Sequence, residues 1–171
     1  MRLISVLTTL ILFATIRAVP AQAQKGDWLN HVFHPFHSGE KYPVYKNKRL
    51  NGLVLSVELP NEPVKLSETR QLPVRVLLAN RGPKAVELNF PSEQRIEILL
   101  HDSSGRVVTR WSENRAFEDK SASLLINPEE HVEYSETIAT RELSPGKVFT
   151  VEVTVPAYPE LDAQRKSIAA Q

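Results

Sequence analysis

The sequence predicts an all-β protein: an antiparallel β-sandwich of about eight short strands, preceded by a signal-peptide helix. Three observations lead there. Apolar and polar residues alternate at period two in one segment after another between residues 53 and 155. Gly, Pro, Asn and Asp turn signals separate these segments at short spacing. Nothing after the N-terminal segment has the period of an amphipathic helix. Short strands with regular turn signals are the pattern of an immunoglobulin-like sandwich.

The N-terminal stretch MRLISVLTTLILFATIRAVPAQAQ reads as a secretory signal peptide. Arg2 supplies the positive end, Ile4 to Ile16 the apolar core, and Ala21-Gln22-Ala23 an A-x-A site with cleavage after Ala23. The apolar run is shorter than the ~20 residues that span a bilayer. Arg17 stands between core and cleavage site and leaves a retained anchor as the alternative. With residues 1–23 removed, the protein is expected to be secreted or periplasmic, without stable membrane association. The sequence has no cysteine, hence neither a lipoprotein attachment site nor disulfides.

Residues 24–51 have no sustained helical or strand period and form an irregular segment. His31, His34 and His37 recur every third residue, and three imidazoles can hold one zinc or copper ion. Against that metal reading, Pro35 disfavours a helix that would align them, and no Cys, Asp or Glu lies among them. The favoured reading is an extended segment with packed aromatics and solvated histidines, so no cofactor is expected.

The compact domain is assigned to residues 52–156. LVLSVELP is its first strand, with Leu53, Leu55, Val57 and Leu59 on one face. LPVRVLLAN follows, with Leu72, Val74, Val76 and Leu78 inward and Pro73 at the strand start or on an edge, because it lacks an amide donor. Asn80-Arg81-Gly82-Pro83 is a turn, and KAVELNF turns Val86, Leu88 and Phe90 to one side.

The central hairpin joins QRIEILL to RVVTRW through Asp102-Ser103-Ser104-Gly105, whose Asp and Gly favour a type I turn. A four-residue loop sets Leu100 opposite Val107, Ile98 opposite Thr109 and Ile96 opposite Trp111. Ile96, Ile98, Leu100, Val107 and Trp111 then share a face, and Glu97 pairs with Arg110 on the other. A three-residue loop with a Gly bulge sets Trp111 opposite Glu97 instead, so the apolar pattern favours the longer loop. ASLLINP, HVEYSETIA and VFTVEVTVP complete the set, the last with Phe149, Val151, Val153 and Val155 inward. Residues 157–171 show no strand pattern and read as a loose tail.

Several of these residues also form motifs. Asn80-x-Gly82, Phe90-Pro91-Ser92-x-Gln94-Arg95, Asp102-x-x-Gly105, Arg110-Trp111-Ser112, Phe117 and Leu143-Ser144-Pro145-Gly146 before Phe149 resemble the BsuPI family. The resemblance covers about residues 53–155. It implies an immunoglobulin-like domain that inhibits subtilisin-type serine proteases.

Composition excludes other classes. Loss of Arg2 and Arg17 takes the formal charge from +1 to −1, which leaves no electrostatic footprint for nucleic acid. There is no thiol, no G-x-S-x-G elbow, no H-E-x-x-H and no phosphate-binding glycine loop. His101-Asp102 adjacency at a turn does not make a triad, and Glu129-Glu130 reads as a solvated pair, so an enzyme is not expected. A protein partner is, bound through a loop held on the scaffold. The candidate loops are 112–121 and 140–147. The second is preferred, with Leu143 entering an apolar pocket and Arg141, Glu142 and Ser144 around it. Leu143 as a lead-in to the Pro-Gly turn, and Phe117 as a buried anchor, are the structural alternatives. A non-inhibitory extracytoplasmic interaction module of the same fold is the alternative function.

Overall fold

The computed structural model describes residues 42–171. The expected signal segment, the cleavage site expected after Ala23 and the histidines His31, His34 and His37 lie outside these residues. Among the described residues no helix is long and apolar enough to cross a membrane, and no group of three His, Cys, Asp or Glu side chains is placed to hold a metal.

The described residues contain nine strands and two short 3-10 helices, Lys48–Leu50 and Trp111–Asn114. The strands are β1 (Leu53–Glu58), β2 (Gln71–Asn80), β3 (Val86–Phe90), β4 (Glu97–His101), β5 (Val107–Arg110), β6 (Ala122–Ile126), β7 (His131–Ala139), β8 (Val148–Thr154) and β9 (Gln164–Ala169). They form three antiparallel sheets, ordered β1-β2-β7, β3-β6 and β5-β4-β8-β9. The arrangement is the expected all-β sandwich.

Alternation builds the core. Leu53 and Leu55 of β1 meet Leu72, Val74, Val76 and Leu78 of β2 in one cluster with Ile98 and Leu100 of β4 and Phe149, Val151 and Val153 of β8. The β3–β6 ribbon adds Val86, Leu88, Phe90 and Ile126. Each such side chain stabilises the fold by ~1.5–3 kcal/mol on burial, so the sandwich needs no covalent staple. Pro73 pairs with Thr137 of β7, while the β1 pairing of β2 reaches only from Arg75 to Asn80. The proline therefore sits where β2 is locally an edge and its missing N–H breaks no ladder.

Three expectations are corrected. Residues 157–171 are not a loose tail: β9 pairs with β8 from Gln164 to Ala169, opposite Val153 to Val148. Ala170 makes a parallel bridge with Val64, and Gln171 N–H donates to Val64 O at 2.7 Å. Leu161 and Ile168 enter the core beneath polar neighbours, so main-chain pairing defines this strand rather than alternation. The domain also begins before Gly52, because Leu50 is core and the Tyr45 hydroxyl donates to Leu53 O at 2.9 Å.

The hairpin register is the third correction. Gly105 N–H donates to Asp102 O, Asp102 N–H donates to Arg106 O, and Gly105 has φ +82°. This is the three-residue loop with a left-handed glycine, not the four-residue loop. A second irregularity follows at once: His101 faces Val107 but Leu100 faces Thr109, leaving Val108 as a bulge. Each shift alone exchanges the faces of β5; together they restore them. Thr109 therefore still faces inward, now opposite Leu100, while Val107 is exposed and Trp111 is buried at the start of a 3-10 helix instead of opposite Ile96. The Asp102 carboxyl holds the turn and is drawn down to about 2, chiefly by the Ser104 hydroxyl, which donates to it at 2.6 Å.

Candidate functional site

The motif residues come together as architecture. Asn80 is fully buried; its amide nitrogen donates to Lys84 O (2.8 Å) and Ile126 O (2.9 Å), and its amide oxygen accepts from Gly82 N–H (2.9 Å). One side chain thereby ties the end of β2 to the following turn and to β6. Gly82 lies against Gly52, whose φ is +91° and where an added Cβ would come within 2.4 Å of Gly82 Cα. Only glycine meets both demands at position 52.

Glu97 organises the next group. Its carboxylate accepts from Gln94 Nε2 (3.2 Å), the Ile98 N–H (3.1 Å), Arg110 Nη1 (3.4 Å), the Ser112 N–H (3.3 Å) and the Ser112 hydroxyl. The expected Glu97–Arg110 pair is present, and Glu97 itself is buried. Three motif residues, Gln94, Arg110 and Ser112, are thus partners of one acid. Phe90 packs edge-on to Tyr158 at 5.7 Å and lies under the Arg95 guanidinium at 4.4 Å.

The 140–147 loop cannot supply the predicted contact. Leu143 is only 8% exposed and belongs to the core cluster, with its N–H donating to Thr140 O at 2.9 Å. Thr140 is itself fixed, its hydroxyl donating to Thr69 O at 2.7 Å, and Gly146 N–H donates to Ala170 O at 2.8 Å. Arg141 and Glu142 remain on the surface and pair with each other at 3.5 Å, and Ser144 is half-buried. The lead-in role is the one Leu143 plays. An apolar residue before a Pro-Gly turn closes the core as readily as it offers a contact, so its residue type could not separate the two.

The other candidate loop has the opposite character. After the 3-10 helix, Arg115 is extended (φ −120°, ψ 138°). Every residue from 115 to 121 is exposed except the half-buried Phe117. Phe117 anchors the loop with its ring 5.6 Å from that of Trp111, and Glu118 O accepts from Glu93 N–H at 3.0 Å. An exposed backbone run is therefore tethered at its middle to the scaffold.

Beside the loop lies an open groove of about 500 Å³, bordered by Trp111, Phe117, Tyr134 and Glu136. Glu136 accepts from Trp111 Nε1 at 3.1 Å and from Arg115 Nη2 at 3.0 Å, while the Arg115 guanidinium stacks on the Trp111 ring at 4.1 Å. Burial raises the Tyr134 phenol above its ordinary pKa, and the nearby Arg95 charge opposes that rise. The alternating pattern marks Trp111 as a packed residue, and the buried anchor is the role Phe117 plays. The groove itself depends on a turn at Trp111 that no local pattern announces.

Comparison with known proteins gives one family. The BsuPI family, described as intracellular proteinase inhibitor, matches residues 59–160. No match was found among curated proteins. Among solved structures, the chain is similar to the short sensor domain of the anti-sigma factor RsgI4 from Pseudobacteroides cellulosolvens, with 16% identity and TM-score 0.34. That likeness covers 70% of this chain and 97% of that one. It is also similar to a β-glucosidase from Listeria innocua, with 18% identity and TM-score 0.38, over 70% of this chain and 16% of that enzyme. A β-glucuronidase from Bacteroides uniformis matches at 12% identity and TM-score 0.34, over 68% of this chain and 12% of that one.

Proposed function

This chain belongs to the BsuPI family of intracellular proteinase inhibitors, and from that premise we propose that it inhibits a serine protease of the subtilisin type through its 115–121 loop. One observation carries the choice of loop: it is exposed on both sides of an anchor, with Phe117 on Trp111 and Glu118 O on Glu93 N–H. A segment already tethered to the scaffold loses less conformational entropy on docking than a free one. Exposed backbone N–H and C=O groups can also pair with the strand-like walls of a protease cleft. Trp111, Arg115 and Glu136 brace the loop from below. The role is binding rather than turnover, and the partner is a protein.

An activity titration against subtilisin and a panel of other serine proteases tests this reading. We expect a one-to-one end point, and mass spectrometry of the slowly processed inhibitor should place any cleaved bond between residues 115 and 121. Gly substitutions at Glu118, Asp119 and Lys120 together should weaken inhibition by at least about 100-fold. They should leave thermal stability nearly unchanged, as surface substitutions usually alter it by under about 0.5 kcal/mol each. Undiminished inhibition by that variant would remove the loop from the reading. If no protease in the panel is inhibited, the non-inhibitory interaction module takes its place.

A further inference from the structure

The groove beside the loop contains a cation that the described residues leave unanswered. Arg95 packs its guanidinium on the Phe90 ring at 4.4 Å, and its Nη1 is buried with no hydrogen-bond partner. The neighbouring charges are already engaged: Glu136 is bonded to Trp111 Nε1 and Arg115, and Arg115 to Glu136 and the Trp111 face. Glu93, the remaining acid on the groove, is exposed and forms no ion pair with Arg95. A guanidinium donor withdrawn from water without an acceptor is destabilising, and a carboxylate matches the planar fork of that group.

We propose that this groove is a docking site for an acidic side chain of a partner polypeptide, with Arg95 as the anion-binding residue. The aromatic walls, Trp111, Phe117 and Tyr134, suit apolar residues on either side of that acid. At about 500 Å³ the groove exceeds the needs of a lone carboxylate, and its open mouth lets a peptide chain pass through. The pairing of Arg115 with Glu136 engages the groove's other cation, so the acid has one destination. This site does not depend on protease inhibition, and a protein that inhibits nothing could still use it.

The test uses the ¹⁵N-labelled full chain and two capped peptides, acetyl-Leu-Glu-Leu-amide and acetyl-Leu-Gln-Leu-amide. The protein has two tryptophans, and the indole N–H signal lost in Trp111→Phe is the one that reports the groove. We expect the Glu peptide to shift the Trp111 signal saturably and to bind at least about tenfold more tightly than the Gln peptide. Arg95→Gln should abolish that difference while retaining the amide spectrum of a folded protein. Equal affinity of the two peptides, no shift with either, or unchanged discrimination in Arg95→Gln overturns the proposal. Tighter binding of acetyl-Leu-Leu with a free C-terminus than of the Glu peptide would also overturn it, by assigning the groove to chain ends. The peptide comparison uses the unmodified protein, so it decides the matter even if Arg95→Gln does not fold.

Discussion

Glu97 shows how a charged residue can be scaffold rather than site. Five donors converge on its carboxylate, and three of them belong to side chains that mark the family. Its pairing with Arg110 was legible from strand alternation. Its burial was not, because the Ser112 N–H and hydroxyl reach it only after the chain turns at Trp111. Leu143 is the reverse case, an apolar residue read as an offered contact and found in the core. The consequence is testable at that position. Leu143→Asp should destabilise the domain by at least about 3 kcal/mol, since Leu truncations in cores already cost ~2–5 kcal/mol and a buried unpaired carboxylate adds to that loss. Chemical denaturation checks it: a midpoint within error of the parent would return Leu143 to the surface. Any drop in inhibition by this variant should track its unfolded fraction.

At the scale of elements, strands β1, β3, β7 and β8 were readable because each turns one face inward and shows the period this imposes, and β2 and β6 because turn signals bound their apolar runs. The hairpin was readable as a hairpin but not in register. Two compensating one-residue shifts, at Gly105 and at Val108, leave almost the same facing pattern as no shift, so alternation could not detect them. Strand β9 escaped for another reason. Gln164, Arg165, Lys166 and Ser167 present polar side chains, and only Ile168 and Ala170 enter the core. Its contribution lies in main-chain pairing with β8, in the bridge to Val64 and in the Ala170 carbonyl that accepts from Gly146 N–H. Removal of residues 164–171 should therefore leave β8 as an open apolar edge and release the 140–147 loop together. We expect the truncated protein to lose its cooperative thermal transition or to aggregate. A melting temperature within a few degrees of the full chain would show β9 to be dispensable.

For the molecule as a whole, the family's motifs describe the scaffold. Asn80 and Gly82 lock a corner, Gln94, Arg110 and Ser112 surround Glu97, and Trp111 and Phe117 anchor a loop. The exposed residues of that loop lie outside the motifs, which is why the fold could be read from sequence while the proposed contact residues could not. The same division bears on where the protein works. The scaffold uses no cysteine, so its stability does not depend on the redox state of its compartment. A family described as intracellular can then lend its fold to an exported chain without covalent change. On this view the address is set by residues 1–23, with Arg2, the Ile4 to Ile16 apolar core and the Ala21-Gln22-Ala23 site. We therefore expect the native protein outside the cytoplasm, beginning at Gln24 and carrying a formal charge of −1 in place of +1. N-terminal sequencing of the protein from cell fractions measures this directly. Recovery with Met1 in the membrane fraction would assign residues 1–23 to an anchor, and recovery with Met1 in the cytoplasm would place the protein with its family's name. In either compartment, reductant should leave both the melting temperature and the inhibition end point unchanged, because no bond in the scaffold responds to it.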